Sequence, residues 1–171
     1  MPKVLIVDDE PSIRLTLAEF LKREGFETVV AADAAQAVAL FDSHVDVAVV
    51  DVNLPGRSGI ELLREFSGRE PYVPIIMITG EPNVSHLPEI VRSGAYDFIA
   101  KPVLKDVITR AVARAAEKRR LGEEKRRLEE EVKLYAEELE GRVAQRTAEL
   151  AEAHSFLNLV LDSSTEYAIV A

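Results

Sequence analysis

The chain has 171 residues, 30 acidic and 21 basic, for a formal net charge of -9, and 47% of it is hydrophobic. That length suits one domain or a small domain plus an appendage, and the apolar content excludes wholesale disorder. The acidic balance excludes the basic face a nucleic-acid binder needs, and the absence of cysteine excludes disulfides and thiolate metal sites, which fits a reducing cytoplasm.

The chain alternates short apolar runs with helical patterns. Residues 4–7 (VLIV) predict a first strand that ends in Asp8-Asp9-Glu10. Residues 12–23 carry Ile13, Leu17, Phe20 and Leu21 at helical spacing. A second strand at 28–31 and a helix at 34–41 follow, then a third strand at 47–50 that runs into Asp51. A helix at 60–66 leads to a fourth strand at 75–78, which ends at Thr79. The segment 81–93 has to hold the fourth helix, but Pro82 and Pro88 delay its start to about Leu87 or Pro88. The fifth strand, 98–100, ends at Lys101-Pro102. Strands apolar at successive positions belong to a parallel sheet covered on both faces. Five such alternations predict a doubly wound α/β domain with right-handed crossovers. None of these runs approaches the ~20 apolar residues of a membrane span, and Met1-Pro2-Lys3 shows no signal peptide.

In such folds the site lies beyond the carboxyl ends of the strands, where the strand order switches. Three carboxylates, a hydroxyl and an ammonium converge there: Asp8, Asp9, Asp51, Thr79 and Lys101. Clustered carboxylates resist ionising together unless a cation compensates, and hard oxygen donors suit Mg²⁺. A metal beside a carboxylate and a lysine is equipped to handle a phosphoryl group, with a carboxylate as the acceptor. Taken singly, each piece has a plainer reading. Asp8-Asp9-Glu10 is compatible with a helix N-terminus, Lys101-Pro102 with a turn and Phe98 with the core. Asp51-Val52-Asn53 faintly resembles a haloacid-dehalogenase nucleophile loop, although the second Asp of that loop is replaced by Asn53. His44, His86 and His154 lie apart, without metal-ligand spacing.

As an ordered set these residues resemble the receiver domains of bacterial two-component response regulators. The resemblance covers residue 3 to about 118. It rests on Val7-Asp8-Asp9-Glu10, Asp51 with Leu54-Pro55-Gly56, Thr79-Gly80, and Gly94-Ala95-Tyr96-Asp97-Phe98 before Lys101-Pro102. It implies a flavodoxin-like sheet of order 2-1-3-4-5, with Asp51 as phosphoacceptor and Asp8, Asp9, Asp51 and the Asn53 backbone carbonyl around Mg²⁺. Lys101 then contacts the phosphoryl oxygens, Thr79 reports the group, and Phe98 is the aromatic switch. Asn53, Gly80 and Glu81 stand where the family tunes dephosphorylation, and this polar and acidic pairing implies decay within minutes. The implied partner is a histidine kinase or phosphotransfer protein.

No proline follows Pro102, so one long helix is expected from Val103. Val103, Val107, Ala111 and Ala115, flanked by Leu104, Ile108 and Val112, are expected to pack it on the sheet. Beyond Ala116 the sequence is highly charged, which is ordinarily a solvated face. Within it Leu121, Leu128, Val132, Leu139, Val143, Leu150 and Leu161 recur at alternating steps of seven and four, with His154 filling one gap. This eleven-residue repeat, about 3.67 residues per turn, predicts a nearly straight or weakly right-handed parallel coiled coil, hence a homodimer. At ~1.5 Å per residue the helix to Leu161 would extend roughly 85–90 Å.

Residues 142–150 resemble the signalling helices that link sensory and output modules. Residues 156–171 resemble the opening of a PAS domain, with an apolar strand at 167–171. The expected domains are therefore 1–118, a receiver; 119–155, a coiled coil; and 156–171, the start of a PAS-like domain whose remainder, with the output, lies outside the sequence. Two other readings compete. The chain is the regulatory front end of a histidine kinase or cyclic-dinucleotide enzyme, though it carries no catalytic motif of either. Or it is a dimerisation module that needs no phosphate, which the complete acidic, Thr and Lys set argues against.

Overall fold

The computed structural model describes residues 1–80 and 87–168, with the side chains of 87–89 and 162–168 excepted. In chain order the elements are β1 (Lys3–Val7), α1 (Pro11–Arg23), β2 (Glu27–Ala31), α2 (Ala34–Leu40), β3 (Val47–Asp51), α3 (Gly59–Arg69), β4 (Ile75–Thr79), α4 (Leu87–Arg92), β5 (Asp97–Ala100) and α5 (Lys105–Ala168). All strand pairs are parallel, and the sheet order is β2-β1-β3-β4-β5. The doubly wound fold and its order are as the sequence implies. The chain divides into two compact units, Met1–Glu124 and Lys125–Ala171.

In the first unit, alternate strand residues face opposite layers. Leu5, Val7, Ala48, Val50, Ile75 and Met77 pack with Ala34, Leu62, Leu63, Phe66 and Ile90 of α2, α3 and α4. Val4, Ile6, Val47, Val49, Ile76 and Ile78 pack with Leu17, Leu21, Ile108, Val112 and Ala115 of α1 and α5. Both sheet faces are thus dry, which is why the strands carry no polar alternation. The packing stripe of α5 differs from the expected one. Ile108, Ala111, Val112 and Ala115 are buried, whereas Val107 is 41% and Leu104 63% exposed. Leu104 precedes the first helical residue, and Val107 sits about 100° from Ile108 around the helix, off the face turned to the sheet.

The second unit is helical through Ala168. Leu128, Val132, Leu139, Val143, Leu150 and Leu161 are exposed there, as is Leu121 at the end of the first unit. Gly122 and Gly141 do not interrupt the helix, although each costs about 1 kcal/mol relative to alanine. The strand expected at 167–171 is not formed over its described part, since Tyr167 and Ala168 remain helical. With no proline after Pro102, nothing in the backbone interrupts the helical ladder up to Ala168. Residues 169–171, Glu81 and His86 lie outside the described residues. Among the described residues no helix is long and apolar enough to cross a membrane.

Candidate functional site

Pairing of Val7 with Val50, Asp51 with Ile78 and Thr79 with Ala100 brings the strand ends level. Asp8 therefore follows β1, Asp51 closes β3, Thr79 closes β4 and Lys101 follows β5 along one edge. This edge lies where neighbouring strands send their helices to opposite faces, the crevice expected of such sheets. Asp8, Asp51 and Thr79 are buried, at 0%, 2% and 6% exposure, and Asp9 is exposed.

Local hydrogen bonds hold the acids in place. The Glu10 N–H donates to Asp8 Oδ1 at 2.8 Å, and the Asn53 N–H donates to Asp51 Oδ1 at 3.1 Å. Arg14 Nη1 donates to the Asp8 carbonyl at 2.6 Å, and the Lys101 N–H donates to the Thr79 carbonyl at 2.8 Å. The two Asx-type bonds, to Asp8 and Asp51, tighten the turns after β1 and β3. Pro11 starts α1, but Glu10, at its N-cap, makes no capping bond with its side chain. The helix-cap reading of Asp8-Asp9-Glu10 therefore does not account for that carboxylate.

Lys101 Nζ lies 2.6 Å from Asp51 Oδ2, 3.0 Å from Asp8 Oδ2 and 3.3 Å from Glu10 Oε1. Burial alone would lower the lysine pKa, but the bonds to Asp51 and Asp8 and the field of both carboxylates raise it above the usual lysine range. The ammonium is therefore fixed as a cation. Burial is the main force raising the Asp8 carboxyl, and the Asp51 charge adds to it. The Glu10 N–H and Lys101 pull the other way without cancelling the rise.

Carboxylate oxygens of Asp8, Asp9 and Asp51 lie within 4.8 Å of one another. The buried Asp8 Oδ2 has the ion-pair contact with Lys101 but no well-aligned hydrogen bond. A buried anionic oxygen left short of donors, beside an exposed carboxylate open to water, fits a partly hydrated hard cation such as Mg²⁺.

Phe98 on β5 is 43% exposed, so its ring is not part of the core. A Cβ built on Gly80 would meet the Lys101 side chain at 3.8 Å, an ordinary contact that places Gly80 against the site. Gly59 is closer still. A Cβ there would fall 1.9 Å from the Asp51 carbonyl oxygen, so the start of α3 packs directly on the backbone of the acid. The sequence singled out neither Gly59 nor a role for the Glu10 side chain. A glycine directly after a capping Ser58, where a better helix former is usual, is the only trace of the first. Nothing in the sequence marks the second.

A family model for the response regulator receiver domain matches residues 4–113. The chain belongs to that family. Its receiver is 34% identical over 121 residues to the C4-dicarboxylate transport transcriptional regulatory protein DctD of Rhizobium meliloti, covering 70% of this chain and 26% of that protein. It is 35% identical over 116 residues to a cyclic di-GMP phosphodiesterase of Thermotoga maritima, covering 68% and 31%. Among solved structures, NtrX from Brucella abortus in complex with ADP superimposes with a TM-score of 0.69 at 37% identity, covering 75% of this chain and 30% of that one. A receiver domain protein from Clostridium thermocellum gives 0.68 at 26% identity, covering 71% and 98%. The chain thus spans about a quarter to a third of the length of these curated relatives. The receiver matches residues 4–113 and leaves the second unit outside the match.

Proposed function

We propose that this receiver accepts a phosphoryl group on Asp51 from a phosphohistidine of a histidine kinase or phosphotransfer protein. The observation that carries the reading is the buried Asp51 carboxylate paired at 2.6 Å with Lys101, inside a cluster of Asp8, Asp9 and Asp51. A carboxylate oxygen of Asp51 attacks phosphorus, the donor P–N bond breaks, and an acyl phosphate forms. Lys101 pairs with Asp51 beforehand and faces the negative charge that spreads over the phosphoryl oxygens. Asp8, Asp9, Asp51 and the Asn53 carbonyl would hold Mg²⁺, which supplies further neutralisation of phosphoryl charge when bound. The Thr79 hydroxyl then bonds the phosphoryl group, and the exposed Phe98 ring turns inward as Thr79 moves. Asn53, two residues after the acceptor, and Glu81, two residues after Thr79 in sequence, control the approach of hydrolytic water.

The signal leaves through α5. The exposed stripe of Leu121, Leu128, Val132, Leu139, Val143, Leu150 and Leu161 has the eleven-residue period of a helix that pairs with its own copy. We take the chain to be a parallel homodimer in which phosphorylation biases the packing of two α5 helices. Relatives named as a transcriptional regulator and as a cyclic di-GMP phosphodiesterase support a receiver that serves varied outputs. Phosphorylation with a small acyl-phosphate donor tests the reading. Incorporation requires a divalent cation and is lost in Asp51→Asn, and cation-independent or undiminished labelling of that variant refutes it.

A further inference from the structure

The Lys101 ammonium has three N–H donors, and three carboxylates stand around it. Two belong to the buried floor of the site, with Asp8 and Asp51 side chains 1% and 3% exposed. The third is Glu10, whose side chain is 56% exposed and whose contact is the longest of the three at 3.3 Å. Glu10 is placed for this by its backbone. Its N–H is tied to Asp8 Oδ1, it stands at the N-cap of α1, and its carboxylate makes no capping bond to the helix behind it. The acid at the entrance of the helix thus turns away from the helix and onto the lysine.

We propose that Glu10 is a positioning residue that competes with phosphoryl oxygens for Lys101. The proposal rests on Asp51 being the phosphoacceptor. A phosphoryl group on Asp51 presents additional anionic oxygens to the same ammonium, which already donates to Glu10 and Asp51 and stands 3.0 Å from Asp8. Of its three partners, Glu10 yields most easily, because water replaces its lost bond at once while Asp8 and Asp51 are dry. Glu10 therefore holds the lysine while the site is empty and lowers the affinity for the phosphoryl group by the work of releasing it.

Two variants of the full chain separate this contact from a general charge effect. Glu10→Gln removes the charge, while Glu10→Asp keeps it on a side chain one methylene shorter, which does not reach Lys101. The probe is beryllofluoride at saturating Mg²⁺, titrated against the amide resonances of Thr79 and Gly80. Both variants are expected to half-saturate at about two- to fivefold lower concentration than the unchanged chain, the scale of one solvent-exposed ion pair. A structural defect would weaken binding, so a gain in both is a signature of competition. Glu10→Asp binding like the unchanged chain, or either variant binding equally or more weakly, overturns the proposal. Failure of the unchanged chain itself to bind beryllofluoride refutes instead the phosphoacceptor reading beneath it.

Discussion

Replacing Gly59 by alanine forces a methyl group into the backbone that carries Asp51. The new carbon would lie 1.9 Å from the Asp51 carbonyl oxygen, 2.9 Å from its carbonyl carbon and 3.1 Å from Val52 Cα. The first distance is 1.1 Å inside the 3.0 Å that real Cβ atoms keep, and the three nearest atoms are all backbone, so no side chain can swing aside. The start of α3 must retreat by about that amount. Its retreat stretches the 2.9 Å bond from the Gly59 N–H to the Val52 carbonyl, which closes the loop behind the acid. Overpacking costs about 1–3 kcal/mol and a strained buried hydrogen bond about another 1–2, for roughly 2–5 kcal/mol in all. In a unit of this size that lowers Tm by roughly 8–20 °C. Where the variant is still folded, displacement of Asp51 relative to Lys101 slows phosphorylation by about tenfold to 10²-fold. Gly68→Ala is the control. It lies in the same helix with nothing within 4 Å of a built Cβ, so it leaves Tm unchanged or raises it slightly. Circular-dichroism melts and labelling with a small acyl-phosphate donor measure both effects. A Gly59→Ala protein with the Tm and labelling rate of the unchanged chain would refute the close approach of α3 to Asp51.

Four further outcomes are expected. Because burial raises the Asp8 carboxyl, the folded chain binds more protons than the unfolded one between the ordinary carboxylate value of 3.8 and the raised one. Stability linked to Asp8 is therefore present at low pH and lost as pH rises through the raised pKa. Asp8→Asn should be more stable at pH 7 by about 1–3 kcal/mol and so melt higher, with the gain shrinking toward pH 4 and on adding Mg²⁺, and an unaltered or lower Tm at pH 7 contradicts this. Sedimentation should show a dimer at roughly tens of micromolar that Leu139→Asp with Val143→Asp converts to monomer. The chain has no cysteine, so Leu150→Cys should crosslink to its own copy under oxidation if the helices are parallel, and an antiparallel pair will not. Replacing Asn53 and Glu81 together with bulky apolar residues should slow phosphate loss by about tenfold or more, and an unchanged decay rate excludes their control of the water.

The sheet was legible because strands buried on both faces must be apolar at every position, as 47–50 and 75–78 are. The site was legible because parallel strands of similar length deliver their last residues to one edge, so Asp8, Asp51, Thr79 and Lys101 had to meet. Other features depend on distances that spacing does not encode. The Glu10 contact joins residues 91 positions apart and needs the α1 backbone to aim it. The role of Gly59 depends on how closely α3 approaches β3, which a glycine in sequence does not reveal. Val107 was misassigned because hydrophobic spacing alone does not say which side of a helix meets the sheet. Of the strand expected at 167–171 from the PAS resemblance, Tyr167 and Ala168 are helical, and the rest lies outside the described residues. In the second unit the apolar repeat is legible in the sequence, and the structure leaves its residues exposed; the pairing proposed for them rests on their spacing.

The most direct test is to find the phosphorylated atom. Chain labelled in the presence of Mg²⁺ is reduced with borohydride, which converts an acyl phosphate to an alcohol, and the altered residue is located by mass spectrometry of its peptides. The account predicts reduction at Asp51 alone and its disappearance in Asp51→Asn. Reduction at Asp8, Asp9 or Glu10 in the unchanged chain, or undiminished labelling of Asp51→Asn, would contradict it.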